Sequence, residues 1–187
     1  MRPEQVKTAA DARRIVEERG LSHVKVGVFD IDGILRGKYM SKPKFFSALE
    51  GGFGFCDVVL GWDSNDQLYD NVRYTGWHTA YPDAPVRVLP ATCRELPFEG
   101  DMLLFIAEFA PPAEAICPRG TLRRVLARAA AHGFSVYAAC EYEFFGFKLQ
   151  DRRCVAAAPR PGHKSCNHSS GVGGRRYIAE CYSGRLV

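Results

Sequence analysis

The Phe and Trp side chains that could build a hydrophobic core stop at Phe147. All 12 Phe residues and both Trp residues lie at or before that position, and none lies within residues 151–187. A segment that is poor in large apolar side chains offsets little of the entropy lost when its backbone becomes ordered. We therefore expect the folded part of the chain to end near residue 150. Residues 151–187 are predicted to be an atypical basic segment, rich in Arg, Gly, Ser and Cys, with a composition typical of disorder.

The charge divides at the same place. Residues 151–187 contain 7 Lys or Arg against 2 Asp or Glu, whereas residues 1–150 contain 18 against 19. The net charge of +4 therefore belongs to the C-terminal segment and not to the part that is expected to fold. A uniformly basic face of the kind that binds nucleic acid is excluded, and we expect no nucleic-acid partner.

The C-terminal segment also has two functional interpretations, which we disfavour. Its Cys and His residues could bind zinc, but only His163 and Cys166 have a spacing that resembles a ligand pair. Its arginines could bind a nucleic-acid strand, but no aromatic side chains alternate with them as stacking platforms. The residues considered for zinc are Cys154, His163, Cys166, His168 and Cys181.

The sequence predicts a cytoplasmic protein without a membrane partner. It has no run of about 18 apolar residues, which a membrane-spanning helix requires. Residues 1–20 carry four acidic side chains where a signal peptide would have an apolar core. The odd number of seven cysteines argues against a disulfide framework.

The first 110 residues show patterns of both helix and strand. Val24, Val26 and Val28 alternate as in a strand with one buried face, and the Asp32-Gly33 pair after them predicts a hairpin with a type I′ turn. The predicted elements are a helix at 8–20, strands at 24–29 and 34–40, a helix that begins at Pro43, a functional loop or intersubunit segment at 53–89 and a strand at 101–109.

The Pro111-Pro112 pair marks a boundary, after which one more helix and strand are predicted. Residues 121–132 are amphipathic, and residues 134–147 have the composition of a strand. The apolar stripe of the helix consists of Leu122, Val125, Leu126 and Ala129.

Asp30 and Asp32 follow the first predicted strand and allow two interpretations. The pattern Asp-x-Asp-Gly resembles the first motif of haloacid-dehalogenase-like phosphatases, which implies Asp30 as nucleophile and Asp32 as acid/base. That family also needs a later pair of adjacent acidic residues. This sequence contains no Asp-Asp, Glu-Asp or Asp-Glu pair. The favoured alternative is a hairpin turn in which the Asp residues have a local structural role.

Glu141 and Glu143 lie two residues apart in the last predicted strand and therefore share one face. Two neighbouring carboxylates in an apolar strand are costly unless a cation compensates them, and hard oxygen ligands suit Mg²⁺ or Mn²⁺. Spacing alone leaves two alternatives open, a metal site or a solvated face of an edge strand.

Several segments, in order, resemble the glutamine synthetase family. The Glu-x-Glu-Phe-Phe pattern from Glu141, one helix after a Pro-Arg-Gly entry, resembles the start of that family's catalytic domain. The resemblance is strongest to the branch of amide ligases that includes glutamylpolyamine synthetases. The other matching segments are residues 30–38 (Asp-Ile-Asp-Gly-Ile-Leu-Arg-Gly-Lys), 61–66, 81–83 and 92–98.

The resemblance implies an ATP-dependent ligase that joins ammonia or an amine to the γ-carboxylate of glutamate. It implies that Glu141 and Glu143 bind Mg²⁺ or Mn²⁺, and that Asp63 helps to bind the ammonium or amine, with Asp57 and Asp66 as close competitors. It also implies a ring-shaped homo-oligomer whose active sites lie between neighbouring subunits.

The predicted fold class is α+β. The resemblance implies a β-grasp-like N-terminal domain at residues 20–111 and the start of a catalytic domain at residues 112–150, followed by the atypical segment. The family's later metal-binding and nucleotide-binding motifs are not recognisable in residues 149–187. We therefore expect a truncated chain in which the ligase reaction is incomplete. The alternative is a non-catalytic fragment that associates with full-length subunits.

Overall fold

The computed structural model describes residues 1–141 and the backbone of residues 147–150 and 153–156. The chain divides into two units, Met1–Val136 and Tyr137–Val187, and each is described by itself. In the second unit, β6 (Phe147–Gln150) and β7 (Arg153–Ala156) pair antiparallel. The elements of the first unit are α1 (Ala9–Glu18), β1 (His23–Phe29), β2 (Leu35–Ser41), α2 (Lys42–Gly51), β3 (Phe53–Cys56), β4 (Asp83–Glu95), β5 (Leu103–Phe109) and α3 (Pro118–Ala131), with 3₁₀ turns at Pro3–Gln5, Asp57–Leu60 and Ala113–Ala115.

The strands β1 to β5 form one mixed sheet in the order β2-β1-β5-β4-β3. β1 pairs antiparallel with β2 and parallel with β5, while β4 pairs antiparallel with both β5 and β3. The structure therefore confirms that helices and a largely antiparallel sheet are combined in one unit. No helix within the described residues is long and apolar enough to cross a membrane.

The core lies between the sheet and the helices α1 and α2. Val26 of β1 is the register partner of Phe105 of β5, and both side chains are fully buried. The ring of Phe45 from α2 packs on Phe105 with 4.7 Å between the ring centroids. Ile15 of α1 is also fully buried. Each such side chain stabilises the fold by roughly 1.5–3 kcal/mol. The buried valines thus suit β1 to its position inside the sheet, between β2 and β5.

The predicted helices at the start of the chain are confirmed, and their ends have local causes. Thr8 begins α1, where its hydroxyl accepts a hydrogen bond from the N–H of Asp11 and donates one to the Asp11 carboxylate. The second predicted helix is α2, and it ends at Gly52, whose φ of 70° is accessible to glycine with little strain.

The predicted β1–β2 hairpin is confirmed, but its turn type is wrong. A type I′ turn would require positive φ at both Asp32 and Gly33, and only Gly33 has it, at 81°. The N–H of Asp30 bonds to the carbonyl of Ile34, and the N–H of Gly33 bonds to the carbonyl of Asp30. The connection is therefore a three-residue turn that ends in a left-handed glycine.

Strands β3 and β4 were not predicted, because residues 53–89 were expected to be a loop and no strand was assigned to residues 90–95. The buried side chains of Ala84, Val86 and Val88 do alternate along β4. Pro85 and Pro90 interrupt that short run and obscure the pattern. The irregular part of the predicted loop is confined to residues 61–82.

The strand predicted at residues 134–147 is wrong over residues 134–141. These residues have no regular secondary structure, and Phe134, Val136 and Tyr137 are exposed. Residues 142–146 lie outside the described residues. A strand requires a paired neighbour for its backbone N–H and C=O groups, which an alternating sequence pattern does not supply.

The predicted C-terminal helix is confirmed as α3, although it begins three residues earlier than expected. Its apolar stripe does not reach the core, because Leu122 is 59% exposed and Val125 is 55% exposed. Its first turn is held by Cys117, whose sulfur accepts a hydrogen bond from the N–H of Gly120.

Candidate active site

Asp63 lies in a short turn between the 3₁₀ helix at Asp57–Leu60 and β4. Its Oδ1 atom accepts hydrogen bonds from the N–H groups of Asn65, at 2.8 Å, and Gln67, at 3.0 Å. The N–H of Asp63 donates to the carbonyl of Gln67, and Trp62 and Leu68 form an isolated bridge below the turn. We call residues 61–70 the Asp63 loop. Its conformation is determined largely by the carboxylate that the resemblance singles out.

The Asp63 loop contacts the hairpin loop, which is residues 30–34. The N–H of Ser64 donates to Asp32 Oδ2 at 2.9 Å, and the Tyr69 hydroxyl lies 3.5 Å from Asp32 Oδ1. The N–H of Ile31 bonds to the carbonyl of Val59, just before the Asp63 loop. Desolvation, together with the negative charges of Asp32 and Asp63, raises the pKa of the Tyr69 hydroxyl. The two loops therefore form one acidic region.

Asp30 has a structural position beneath this region. Its side chain is fully buried, and its Oδ1 atom accepts the N–H groups of Asp32, at 3.0 Å, and Ile34, at 2.8 Å. Its Oδ2 atom accepts Arg36 Nε at 2.7 Å. Both oxygens are thus engaged within the protein, and Asp30 lies on an antiparallel hairpin. This environment does not favour the phosphatase alternative, in which Asp30 and Asp32 would face a substrate.

The three candidates for the amine-binding Asp have different environments. Asp57 is buried and accepts a hydrogen bond from the Thr75 hydroxyl at 2.5 Å. Asp66 forms an ion pair with Arg36 at 2.7 Å. Asp63 is partly exposed, and its Oδ2 atom accepts no hydrogen bond from the described residues. Of the three, Asp63 is the partly exposed carboxylate that forms no ion pair with the described residues, whereas Asp57 is buried and Asp66 is already paired with Arg36.

The predicted metal pair is described only in part. Glu141 is exposed, and Glu143 lies outside the described residues. Within the described part of the chain, no group of three or more His, Cys, Asp or Glu side chains could hold a metal ion. The assignment of Glu141 and Glu143 as metal ligands stays a prediction.

The sequence analysis missed a second charged cluster, around Glu108 of β5. This carboxylate is 5% exposed, and its Oε1 atom accepts Arg87 Nη2 at 2.7 Å and Arg123 Nη1 at 2.5 Å. Burial opposes ionisation of Glu108, but the hydrogen bonds and charges of both arginines exceed that effect and lower its pKa. A single acidic residue within the otherwise apolar β5 was the available signal.

Comparison with known proteins identifies the family. The family model for the catalytic domain of glutamine synthetase matches residues 115–177. The type-1 glutamine synthetase 2 of Dictyostelium discoideum is 45% identical over 133 residues, which cover 69% of this chain and 25% of that protein. The chain belongs to the glutamine synthetase family.

Two further relatives carry the names of glutamate–amine ligases. Glutamate–isopropylamine ligase of a Pseudomonas species is 30% identical over 149 residues, which cover 78% of this chain and 32% of that ligase. The γ-glutamylethanolamide synthetase GlnA4 of Streptomyces coelicolor is 33% identical over 124 residues, which cover 64% of this chain and 27% of that enzyme. The chain thus spans about a quarter to a third of the length of these glutamine synthetase relatives.

Solved structures also match. Ligand-free GmaS has a TM-score of 0.49 at 20% identity, over 64% of this chain and 26% of GmaS. The glutamine synthetase of Plasmodium falciparum has a TM-score of 0.48 at 14% identity, over 71% of this chain and 24% of that enzyme.

Proposed function

We propose that this chain forms part of an ATP-dependent ligase that joins ammonia or an amine to the γ-carboxylate of glutamate. The observation that carries this proposal is the 45% identity to a glutamine synthetase over a range of 133 residues. The relatives named as isopropylamine and ethanolamide ligases support amide formation with glutamate as the general reaction. These names leave the specific amine open, because the three relatives are named for different amines or amide products.

In this proposal Asp63 binds the ammonium or amine. Its Oδ1 atom is held by two backbone N–H groups, so the position of Oδ2 is fixed within the Asp63 loop. A fixed carboxylate attracts a cation without first losing the entropy of ordering its own side chain. Asp32, whose carboxylate accepts the N–H of Ser64, adds negative charge nearby, which favours the cationic form of an amine.

Glu141 and Glu143 are proposed to hold Mg²⁺ or Mn²⁺, with ATP as co-substrate. Carboxylate oxygens are the donors that these hard cations prefer, and the exposed position of Glu141 is compatible with such a role. When bound, such a metal ion supplies charge neutralisation for a transferring phosphoryl group.

We also propose the finer domain assignment. Residues 20–111 would form a β-grasp-like domain, residues 112–150 the start of the catalytic domain, and residues 151–187 an atypical segment. The β1–β2 hairpin, the helix α2 and the parallel pairing of β5 with β1 support the first assignment. The family match begins at residue 115, which supports the start of a catalytic domain there, but it extends to residue 177 and therefore runs past the proposed boundary at residue 150. A cytoplasmic homo-oligomer of the ring type completes the proposal.

The test uses two proteins, the purified chain and a chimera. In the chimera, residues 24–136 replace the matching region of the Dictyostelium glutamine synthetase. Each is given ATP, Mg²⁺ and glutamate with ammonia, isopropylamine or ethanolamine, and the γ-glutamyl amide and phosphate are measured. We expect amide formation by the chimera with at least one amine. We expect Asp63→Asn to lower kcat/KM for that amine about 10- to 100-fold, as loss of a charged hydrogen bond does.

The matched control is Asp70→Asn, which removes another exposed acidic side chain of the same loop. It should leave kcat/KM within about twofold, because a solvated charge contributes little. Turnover by the purified chain would show that the chain alone suffices. Absence of amide product from both proteins with all three amines would contradict the proposal.

A further inference from the structure

Arg36 of β2 connects the hairpin loop with the Asp63 loop. Its Nε atom donates to the buried carboxylate of Asp30 at 2.7 Å, and its Nη1 atom pairs with Asp66 Oδ1 at 2.7 Å. Its Nη2 atom lies 3.5 Å from the carbonyl oxygen of Asp63, and its guanidinium lies 5.0 Å from the ring centroid of Trp62. One side chain thus contacts one residue of the hairpin loop and three of the Asp63 loop.

The charges around Arg36 explain why this contact matters. Asp30 and Asp32 lie on the hairpin loop, and Asp63 and Asp66 lie on the opposing loop. Arg36 is the cation that pairs with both sides, because it bridges Asp30 and Asp66. Without this positive charge, like charges on the two loops would repel each other. The guanidinium is the suitable group, since its planar fork can bond several acceptors at once.

We propose that Arg36 is a positioning residue that holds the Asp63 loop against the hairpin loop. This inference rests on the proposed role of Asp63 in binding the amine. The bond from Arg36 to the Asp63 carbonyl holds the backbone at Asp63, and the pair with the Asp66 side chain anchors the loop three residues later. Loss of Arg36 leaves the Asp63 carboxylate chemically intact but allows its loop to move away from β2.

The fluorescence emission of Trp62 reports on its contact with Arg36. The chain has two Trp residues, and the other one, Trp77, is 82% exposed. In a Trp77→Phe background, the emission of Trp62 alone is observed. Removal of the guanidinium from its ring is expected to change the emission intensity, and opening of the loop to water is expected to move the maximum to longer wavelength.

The experiment uses the full chain and three variants in the Trp77→Phe background. Asp66→Asn removes the pair with the loop but keeps the Arg36–Asp30 pair, and Asn tolerates the φ of 63° at this position. The double variant Asp30→Asn/Arg36→Gln removes the buried charge together with its partner, so that no unpaired buried carboxylate remains. The control, Arg13→Gln, removes an arginine with the same two kinds of contact, an ion pair to Glu50 and a position over the Phe46 ring.

Hydrogen exchange of residues 61–70 is compared with that of β1 and β5. We expect both test variants to lower the protection of the loop about tenfold or more, and to change Trp62 emission, while the protection of β1 and β5 stays the same. Arg13→Gln should change neither signal. Unchanged loop protection in both test variants would overturn the inference. An equal loss in the loop and the sheet would also overturn it, because Arg36 would then only stabilise the fold.

The inference and the proposed function fail separately. Loosening of the loop in the full chain, together with an inactive chimera, would support Arg36 as a positioning residue and contradict the ligase role. The chimera could be active while its Asp66→Asn variant has an unchanged KM for the amine and the loop protection is also unchanged. That combination would overturn the inference and leave the proposed function intact.

Discussion

The Thr75 hydroxyl donates a 2.5 Å hydrogen bond to Asp57 Oδ1, and both side chains are buried. Asp57 begins the 3₁₀ helix that precedes the Asp63 loop, whereas Thr75 lies in the irregular segment that follows it. Gly61 allows the close approach, since a Cβ atom there would lie 2.8 Å from the Thr75 methyl group. The two ends of the loop are thus held together from the inside.

Thr75→Val should therefore destabilise the fold by about 1–3 kcal/mol, because a buried carboxylate loses its hydroxyl donor while the side-chain volume is kept. Urea unfolding monitored by circular dichroism measures the change. The control is Thr121→Val in α3, where an exposed residue accepts a surface hydrogen bond from Arg124 at 3.1 Å, and its effect should remain within about 0.5 kcal/mol. Equal effects of the two substitutions would contradict a special role for the Asp57–Thr75 pair.

Gly52 should tolerate substitution poorly, for two reasons that add. Its φ is 70°, and a Cβ atom there would collide with the carbonyl oxygen of Val86 in β4. We expect Gly52→Ala to cost about 2–4 kcal/mol, from the left-handed backbone and the collision together. Gly20→Ala is the matched control, because Gly20 has a φ of 62° but no atom within 4 Å of the added Cβ. That variant should lose only about 1–2 kcal/mol in urea unfolding.

The sequence was sufficient to predict the elements whose pattern is local. The alternating valines of β1 and the apolar stripe of α3 each lie within one element. Residues 134–141 were wrongly predicted to be a strand, and the start of β4 was wrongly predicted to be a loop. Both errors have one cause, because a strand forms only where a distant segment supplies a pairing partner. Pairing between segments is a property of the whole chain, and short-range periodicity does not contain it.

The contacts of the candidate site were also only partly predictable from the sequence. Asp63 was selected from a resemblance, and its local turn is encoded by nearby residues. The role of Arg36 was missed because its partners Asp30 and Asp66 lie 6 and 30 positions away in the sequence. Only the folded hairpin and the Asp63 loop together bring the three side chains into contact. A lone arginine on a strand carries no signal for such a contact.

Glu108 should make the stability depend on pH in a predictable direction. Burial opposes its ionisation, but Arg87 and Arg123 bond the carboxylate and lower its pKa below the ordinary value of 4.5. A group with a lowered folded-state pKa stabilises the fold above its unfolded pKa, and this contribution is lost as the pH falls through the folded value. The difference in unfolding free energy between the parent chain and Glu108→Gln should therefore be largest near neutral pH and shrink below pH 4.5.

Urea unfolding of both proteins at a series of pH values measures that difference. Glu114→Gln is the comparison variant, since Glu114 also pairs with Arg123 but is more exposed. Its effect should be smaller at every pH, because solvent screens an exposed pair. A difference for Glu108→Gln that stays constant as the pH falls would show that the arginines do not favour the charged form.

The cysteines Cys93 and Cys140 should differ strongly in their reactivity. Cys93 is fully buried, and burial raises the pKa of its thiol to about 11, whereas Cys140 is exposed. Because the thiolate is the reactive form, iodoacetamide at pH 8 should modify Cys140 in the native chain and leave Cys93 unmodified. Peptide mass mapping measures the modified fraction at each site. In denaturing urea both sites should react, and rapid modification of native Cys93 would show that β4 opens to solvent at that position.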